Sequence, residues 1–258
     1  GAGEPGGVPS YRVAVRRFVD RDREGRVVGP GRRGSGGDPA GADPLTLQLC
    51  VWALSPAPAF AQVSAAARCV LLASGTLAPI DGFAAELRTP FPIRLEAPHV
   101  VDMGRQVWAG ACGASPGGAP LTATYRCVDS FAFQDGVGDT LLAAVRAIPG
   151  GVLAFFPSYS LLWRLVARWR ATGAWRALEA ATTPVAEPRG SGPDAFATAL
   201  AAYYAAIRTA GRGLFLAVCR GKASEGLDFA DARARGVLVF GVPFPAARDS
   251  QVLLKKAY

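Results

Sequence analysis

The chain has 258 residues, half of them hydrophobic and 19% charged, with a formal net charge of +8 at pH 7. That composition can bury a core, which excludes wholesale disorder, and no apolar run approaches the roughly 20 residues that a membrane-spanning helix needs. The positive charge suits an anionic partner such as nucleic acid, or equally a solvated arginine-rich surface, since Lys222, Lys255 and Lys256 are the only lysines.

In chain order, Tyr11 to Val19 alternates as a strand. Residues 20–44, rich in Gly, Arg and Asp, read as a flexible loop. Leu45 to Leu54 resumes as a strand, Pro56 to Arg68 forms a short helix, and Arg68 to Ala73 is predicted as a short buried strand leading into Ser74-Gly75-Thr76. A helix follows over Pro79 to Leu87. Thr89 to His99 is punctuated by proline and marks a domain boundary. Gln106 to Ala111 is a strand candidate, Cys112 to Pro120 a loop, and Asp139 to Ile148 a helix. Then come a buried strand at Gly151 to Phe156, a helix at Ser158 to Arg170, a short strand at Thr183 to Glu187, a helix at Asp194 to Arg208, and buried strands at Leu214 to Val218 and Val237 to Val242. Strands alternating with helices predict an α/β fold, a parallel sheet with helices on both faces. In such sheets ligands sit beyond the carboxyl ends of the strands, here the loops after Ala73, Phe156 and Val218.

Several motifs fail on context. Gly1 to Gly6 spells G-x-G-x-x-G, but no strand precedes it. Gly113 to Gly117 spells G-x-S-x-G, but the following Gly117-Gly118-Ala119-Pro120 forbids the helix that a nucleophile elbow needs. Gly221-Lys222 lacks the earlier glycine of a Walker A loop, and Ala223 stands where Ser or Thr would hold Mg²⁺. Cys50, Cys69, Cys112, Cys127 and Cys219 are scattered with no C-x-x-C pair, and His99 is the single histidine. That fits neither a disulfide framework nor a zinc site, and suits a reducing compartment. The first residues, GAGEPGG, contain neither an initiator Met nor a signal-peptide core, so the sequence is expected to be a piece of a longer protein.

One segment concentrates polar chemistry at the end of a strand. Leu214 to Phe229 reads LFLAVCRGKASEGLDF. Gly221 and Gly226 permit tight turns and close approach. Lys222 and Ser224 can meet a phosphate, while Glu225 and Asp228 can order the loop or accept from a sugar hydroxyl. An ordinary strand-to-helix turn is the plainer alternative.

RGKASEGLDF resembles motif V of superfamily 2 helicases, in the form found in the iron–sulfur helicases related to the xeroderma pigmentosum group D protein. Leu72 to Asp81 (LASGTLAPID) resembles that family's motif III, and Phe155 to Tyr159 (FFPSY) its motif IV region. PFPIRLEAPHVV and the AYYAAI…GRGLFLAV context are most similar to the branch of telomere-elongation regulators, with the Fanconi anaemia group J helicases close by.

The resemblance implies two RecA-like lobes with ATP and Mg²⁺ between them. Residues 1–97 would be the end of lobe 1 and residues 98–258 lobe 2, stopping before the family's last arginine motif. Ser74, Gly75, Thr76, Gly221, Ser224, Glu225, Gly226 and Asp228 would serve the nucleotide side and its coupling. Ser158, Tyr159 and Lys222 would contact DNA. The family's 4Fe-4S cluster, Walker A and Walker B are expected elsewhere in a full-length protein, so this chain alone is not expected to hydrolyse ATP. The implied function is part of an ATP-dependent 5′-3′ DNA helicase that acts on single-stranded and duplex DNA in the nucleus, in telomere, recombination or repair work. Protein partners are left unspecified and no membrane is involved. A non-catalytic single-strand-binding remnant or scaffold and an RNA translocase are the alternatives. Beside these roles stand plainer ones: Tyr159 as a cap on the core, Ser74 to Thr76 as the start of a helix, and Trp163 and Trp169 as core or interface.

Overall fold

The computed structural model describes residues 10–19, 45–189, 193–221, 223–224, 227, 229–245 and 249–258. The loop expected at 20–44 lies outside them. The chain divides by contacts into two units: Gly1–Trp108 with Pro245–Tyr258, and Ala109–Phe244.

In the first unit, β1 (Tyr11–Val19) and β2 (Leu45–Ala53) form an antiparallel pair, with Tyr11 opposite Ala53 and Val15 opposite Leu49. Helices α1 (Ala57–Ala66), α2 (Ile80–Leu87) and the single turn α3 (Met103–Gln106) follow. Two expected strands are absent. Arg68 to Ala73 has no ladder partner among the described residues and leaves Leu71 90% exposed. A strand apolar on both faces forms only between neighbours in a covered sheet, and the two strands described in this unit pair with each other. Gln106 closes α3, and residues 107–111 form no strand, because no described strand pairs with them.

The second unit is built on a four-stranded parallel sheet ordered β4-β5-β3-β6, from β3 (Gly150–Phe156), β4 (Pro184–Ala186), β5 (Arg212–Val218) and β6 (Gly236–Val239). The α/β expectation of a parallel sheet with flanking helices holds, consistent with a RecA-like lobe. Alternation along the strands assigns the faces. Val152, Ala154 and Phe156 with Leu214, Leu216 and Val218 pack under α4 (Phe131–Ala147), α5 (Tyr159–Thr172) and α6 (Ala174–Ala181). Leu153, Phe215 and Ala217 face the opposite way, toward Tyr203 and its neighbours on α7 (Pro193–Ala210). Helix α8 (Ser250–Ala257) groups with the first unit, where the Tyr258 hydroxyl lies 3.3 Å from Ser10 Oγ.

Local chemistry sets the helix ends. Ser130 and Ser158 cap α4 and α5, accepting from the N–H groups of Phe133 and Leu161 at 3.3 and 3.2 Å. Gly173, at φ 84°, ends α5 in the left-handed conformation that glycine adopts without strain.

Helices α4 and α5 are tied by Arg168, which donates to both Asp135 oxygens at 2.9 and 2.8 Å and lies 4.2 Å over the Phe131 ring. The hydrogen bond from Arg168 holds the Asp135 carboxyl below the usual carboxylate range. A depressed folded pKa stabilises above the unfolded value, near 3.9, and that contribution disappears as pH falls through the folded pKa. Asp135→Asn is therefore expected to lower the urea midpoint at neutral pH, with the gap from wild type closing as pH falls below about 3.9 and on through the folded pKa. A gap of equal size at neutral and at acid pH would show that the carboxylate contributes nothing by its charge.

Candidate nucleic-acid interface

The carboxyl end of the four-stranded sheet gathers the loops after β3, β4 and β5. Cys219 donates to Phe156 O at 2.8 Å, extending the β5–β3 ladder by one step. Arg220 then turns through φ 61°, and Gly221 N–H folds back to Val218 O at 3.0 Å. Ser224 closes the turn by donating from its N–H and hydroxyl to Gly221 O, at 3.1 and 2.9 Å. Ala223 is buried among Leu153, Tyr203, Phe215 and Ala217, with Leu227 and Phe229 packed against the same cluster. The methyl group that rules out a Walker A motif thus anchors the loop to the sheet. Lys222, Glu225, Gly226 and Asp228 lie outside the described residues.

Tyr159 opens α5 beside this loop. It packs against the core, and its hydroxyl donates to Glu187 Oε1 at 2.7 Å. Burial above all, then the bond to Glu187 and that group's charge, push the Tyr159 phenol up to about 12. Ser158, exposed, spends its Oγ on the cap of α5.

Glu187, which the sequence reading treated only as the end of a strand, joins these pieces. Its side chain is fully buried, and Oε2 accepts the Val218 N–H at 2.9 Å. Its own N–H donates to Leu216 O at 2.8 Å. A Cβ on Gly221 would lie 3.0 Å from Glu187 Oε1, so the loop passes directly over the carboxylate. The available signal was positional: a carboxylate immediately after a strand, at the same sheet end as the glycine loop.

Ser74, Gly75 and Thr76 belong to the other unit. Thr76 N–H donates to Ser74 Oγ at 3.2 Å, and the two hydroxyls also lie 3.2 Å apart. This is an exposed serine turn. It does not start the next helix, because α2 begins after Pro79 with no side-chain cap. Trp169 is wholly buried, as one reading expected, and Trp163 is partly buried in the same core. Ser115, of the failed G-x-S-x-G, is buried and accepts the Ala119 N–H at 3.1 Å, which makes it a brace in a turn.

Residues 141–258 match the helicase C-terminal domain family. Residues 141–258 thus carry a helicase C-terminal domain, the region that the relatives below share. A Fanconi anemia group J protein homolog from Gallus gallus is 47% identical over 213 residues, which is 81% of this chain and 17% of that protein. Regulator of telomere elongation helicase 1 from Homo sapiens is 40% identical over 213 residues, again 81% of this chain and 17% of the relative. The homolog from Drosophila sechellia is 35% identical across 96% of this chain, which is 26% of its own length. The chain thus spans between 17% and 26% of the length of these three relatives.

All five cysteines are free, and among the described residues no three His, Cys, Asp or Glu side chains gather as metal ligands. The described residues therefore bring together no set of thiolates that would fit an iron–sulfur cluster. No described helix is long and apolar enough to cross a membrane.

Proposed function

We propose that this helicase domain is the second RecA-like lobe, with the end of the first, of an ATP-dependent 5′-3′ DNA helicase that works in the nucleus on telomere, recombination or repair intermediates. The boundary near residue 98 and the nucleotide-side roles of Ser74, Gly75, Thr76, Gly221, Ser224, Glu225, Gly226 and Asp228 belong to that proposal. So do the DNA contacts of Ser158, Tyr159 and Lys222. One observation carries it: the motif IV and motif V segments meet at the carboxyl end of one parallel sheet, where Tyr159 and the Gly221 turn share the Glu187 carboxylate. ATP is the substrate, held with Mg²⁺ chiefly by the first lobe of the complete protein. Closure and reopening of the lobes would shift the grip on one strand, held mainly through phosphates.

The reading is tested by binding of labelled single-stranded DNA, single-stranded RNA and duplex DNA to this chain at several salt concentrations. It expects single-stranded DNA to bind with a clear salt dependence. Equal or better binding of RNA would favour an RNA translocase, and no binding of any strand would overturn the reading. In the same assay Lys222→Ala is expected to weaken single-strand binding and reduce the log–log salt slope by about 0.7, the release expected for one phosphate contact on a single strand. An unchanged slope would remove Lys222 from the interface.

A further inference from the structure

The geometry points to Glu187 as the positioning residue of the single-strand site: it fastens Tyr159 and the turn from Cys219 to Gly221 into one preset platform. This rests on the reading of that sheet end as a single-strand interface and adds a residue to it.

Three observations support it. First, Glu187 is fully buried yet carries a carboxylate, at a place where its neighbours Ala186 and Leu216 are core residues. An apolar side chain would avoid the cost of desolvation there, so the carboxylate contributes position more than stability. Second, its two oxygens take one donor each from the two segments in question, Tyr159 at 2.7 Å and Val218 at 2.9 Å. The β4–β5 pairing stops at Ala186 opposite Leu216, and the carboxylate supplies the acceptor for the Val218 N–H just beyond. On the β4 side the root of the turn is thereby held by a side chain, while the β3 ladder holds it on the other. Third, Gly221 lies against the same carboxylate, so a shift of Glu187 is felt at the turn. A strand bound across Tyr159 and this turn then meets groups ordered in advance, and the ordering cost is not charged to binding.

The test measures affinity of the full 258-residue chain for a labelled oligothymidylate by fluorescence anisotropy, with thermal unfolding run on every variant. Glu187→Ala is expected to weaken binding about tenfold, the scale of one hydrogen bond to a charged group. Glu187→Gln is expected to stay within about twofold of wild type, because an amide can accept from Val218 N–H and donate to the Tyr159 hydroxyl. Tyr159→Phe combined with Glu187→Ala is expected to lose no more than Glu187→Ala alone, since the Tyr159 bond is already gone in Glu187→Ala. In Glu187→Gln the Tyr159 phenol, read as the absorbance difference from Tyr159→Phe, is expected to titrate below its value of about 12.

A folded Glu187→Ala that binds like wild type overturns the inference and leaves the interface standing. So does a Glu187→Gln as weak as the alanine variant. If wild type itself fails to bind, the interface reading falls and the inference falls with it. If Glu187→Ala does not fold, Glu187→Asp decides, since the shorter carboxylate cannot reach both donors: roughly threefold weaker binding supports the inference, and unchanged binding overturns it.

Discussion

Trp169→Ala is expected to destabilise the second unit by about 3–5 kcal/mol, the range for deleting a fully buried large aromatic. Trp169 has no exposed surface and sits where α4, α5 and β3 meet. Its ring centroid lies 6.5 Å from that of Phe156, and its Nε1–H donates to Gln134 O at 2.8 Å. The wall opposite the indole is Gly138, where a Cβ would come within 2.8 Å of Nε1. Such a wall has no side chain that could swing into the void, so the cavity term is felt nearly in full. Trp169→Phe keeps most of the packing but removes the N–H that donates to the Gln134 carbonyl, and about half that loss is expected. Urea unfolding followed by circular dichroism reads both variants. A loss below about 1 kcal/mol for alanine would mean that α4 and α5 close over the gap.

The same contact explains which parts of the fold the sequence made legible. Helix α5 was legible because Leu161, Leu162, Leu165, Val166 and Trp169 recur at helical spacing and all are buried. Strands β3 and β5 were legible as apolar runs bounded by glycine and a polar loop. The first half of α4 was not, since Gly136 and Gly138 read as breakers. They stand in a helix because of close approach: a Cβ on Gly136 would lie 3.3 Å from Ala119 and Ser115, and one on Gly138 would strike Trp169. Helix α6 was hidden by the glycine that ends α5. The expected strand at Arg68 to Ala73 had the right residues and no partner, and pairing is not a local property. In the candidate site the glycine loop and Tyr159 were visible as motif text. Glu187 was not, because its partners are 28 and 31 residues away and only the sheet brings them together.

Gly221→Ala is expected to weaken single-strand binding by about tenfold or more while costing about 1–3 kcal/mol of stability. The added Cβ would lie 2.8 Å from Val218 O, 3.0 Å from Glu187 Oε1 and 3.3 Å from Oε2. None of these is the free end of a flexible side chain. The carbonyl belongs to the last residue of β5 and accepts from Gly221 itself at 3.0 Å. The carboxylate is fixed by Tyr159 and Val218. Relief therefore comes by lifting the turn off the sheet end, which weakens the Ser224 closure, or by rotating Glu187, which breaks its bond to Tyr159. Either movement spoils the proposed interface before it unfolds the unit, because the sheet and its two apolar clusters lie below the turn. Gly113→Ala is the matched control in the same unit, since a Cβ there meets nothing within 4 Å. It is expected to leave unfolding and strand binding by this chain unchanged. Anisotropy titrations of the two variants, run beside their melting curves, separate the effects. Wild-type affinity in a folded Gly221→Ala would place the strand elsewhere on the domain, since no adjustment of this turn leaves all its bonds intact.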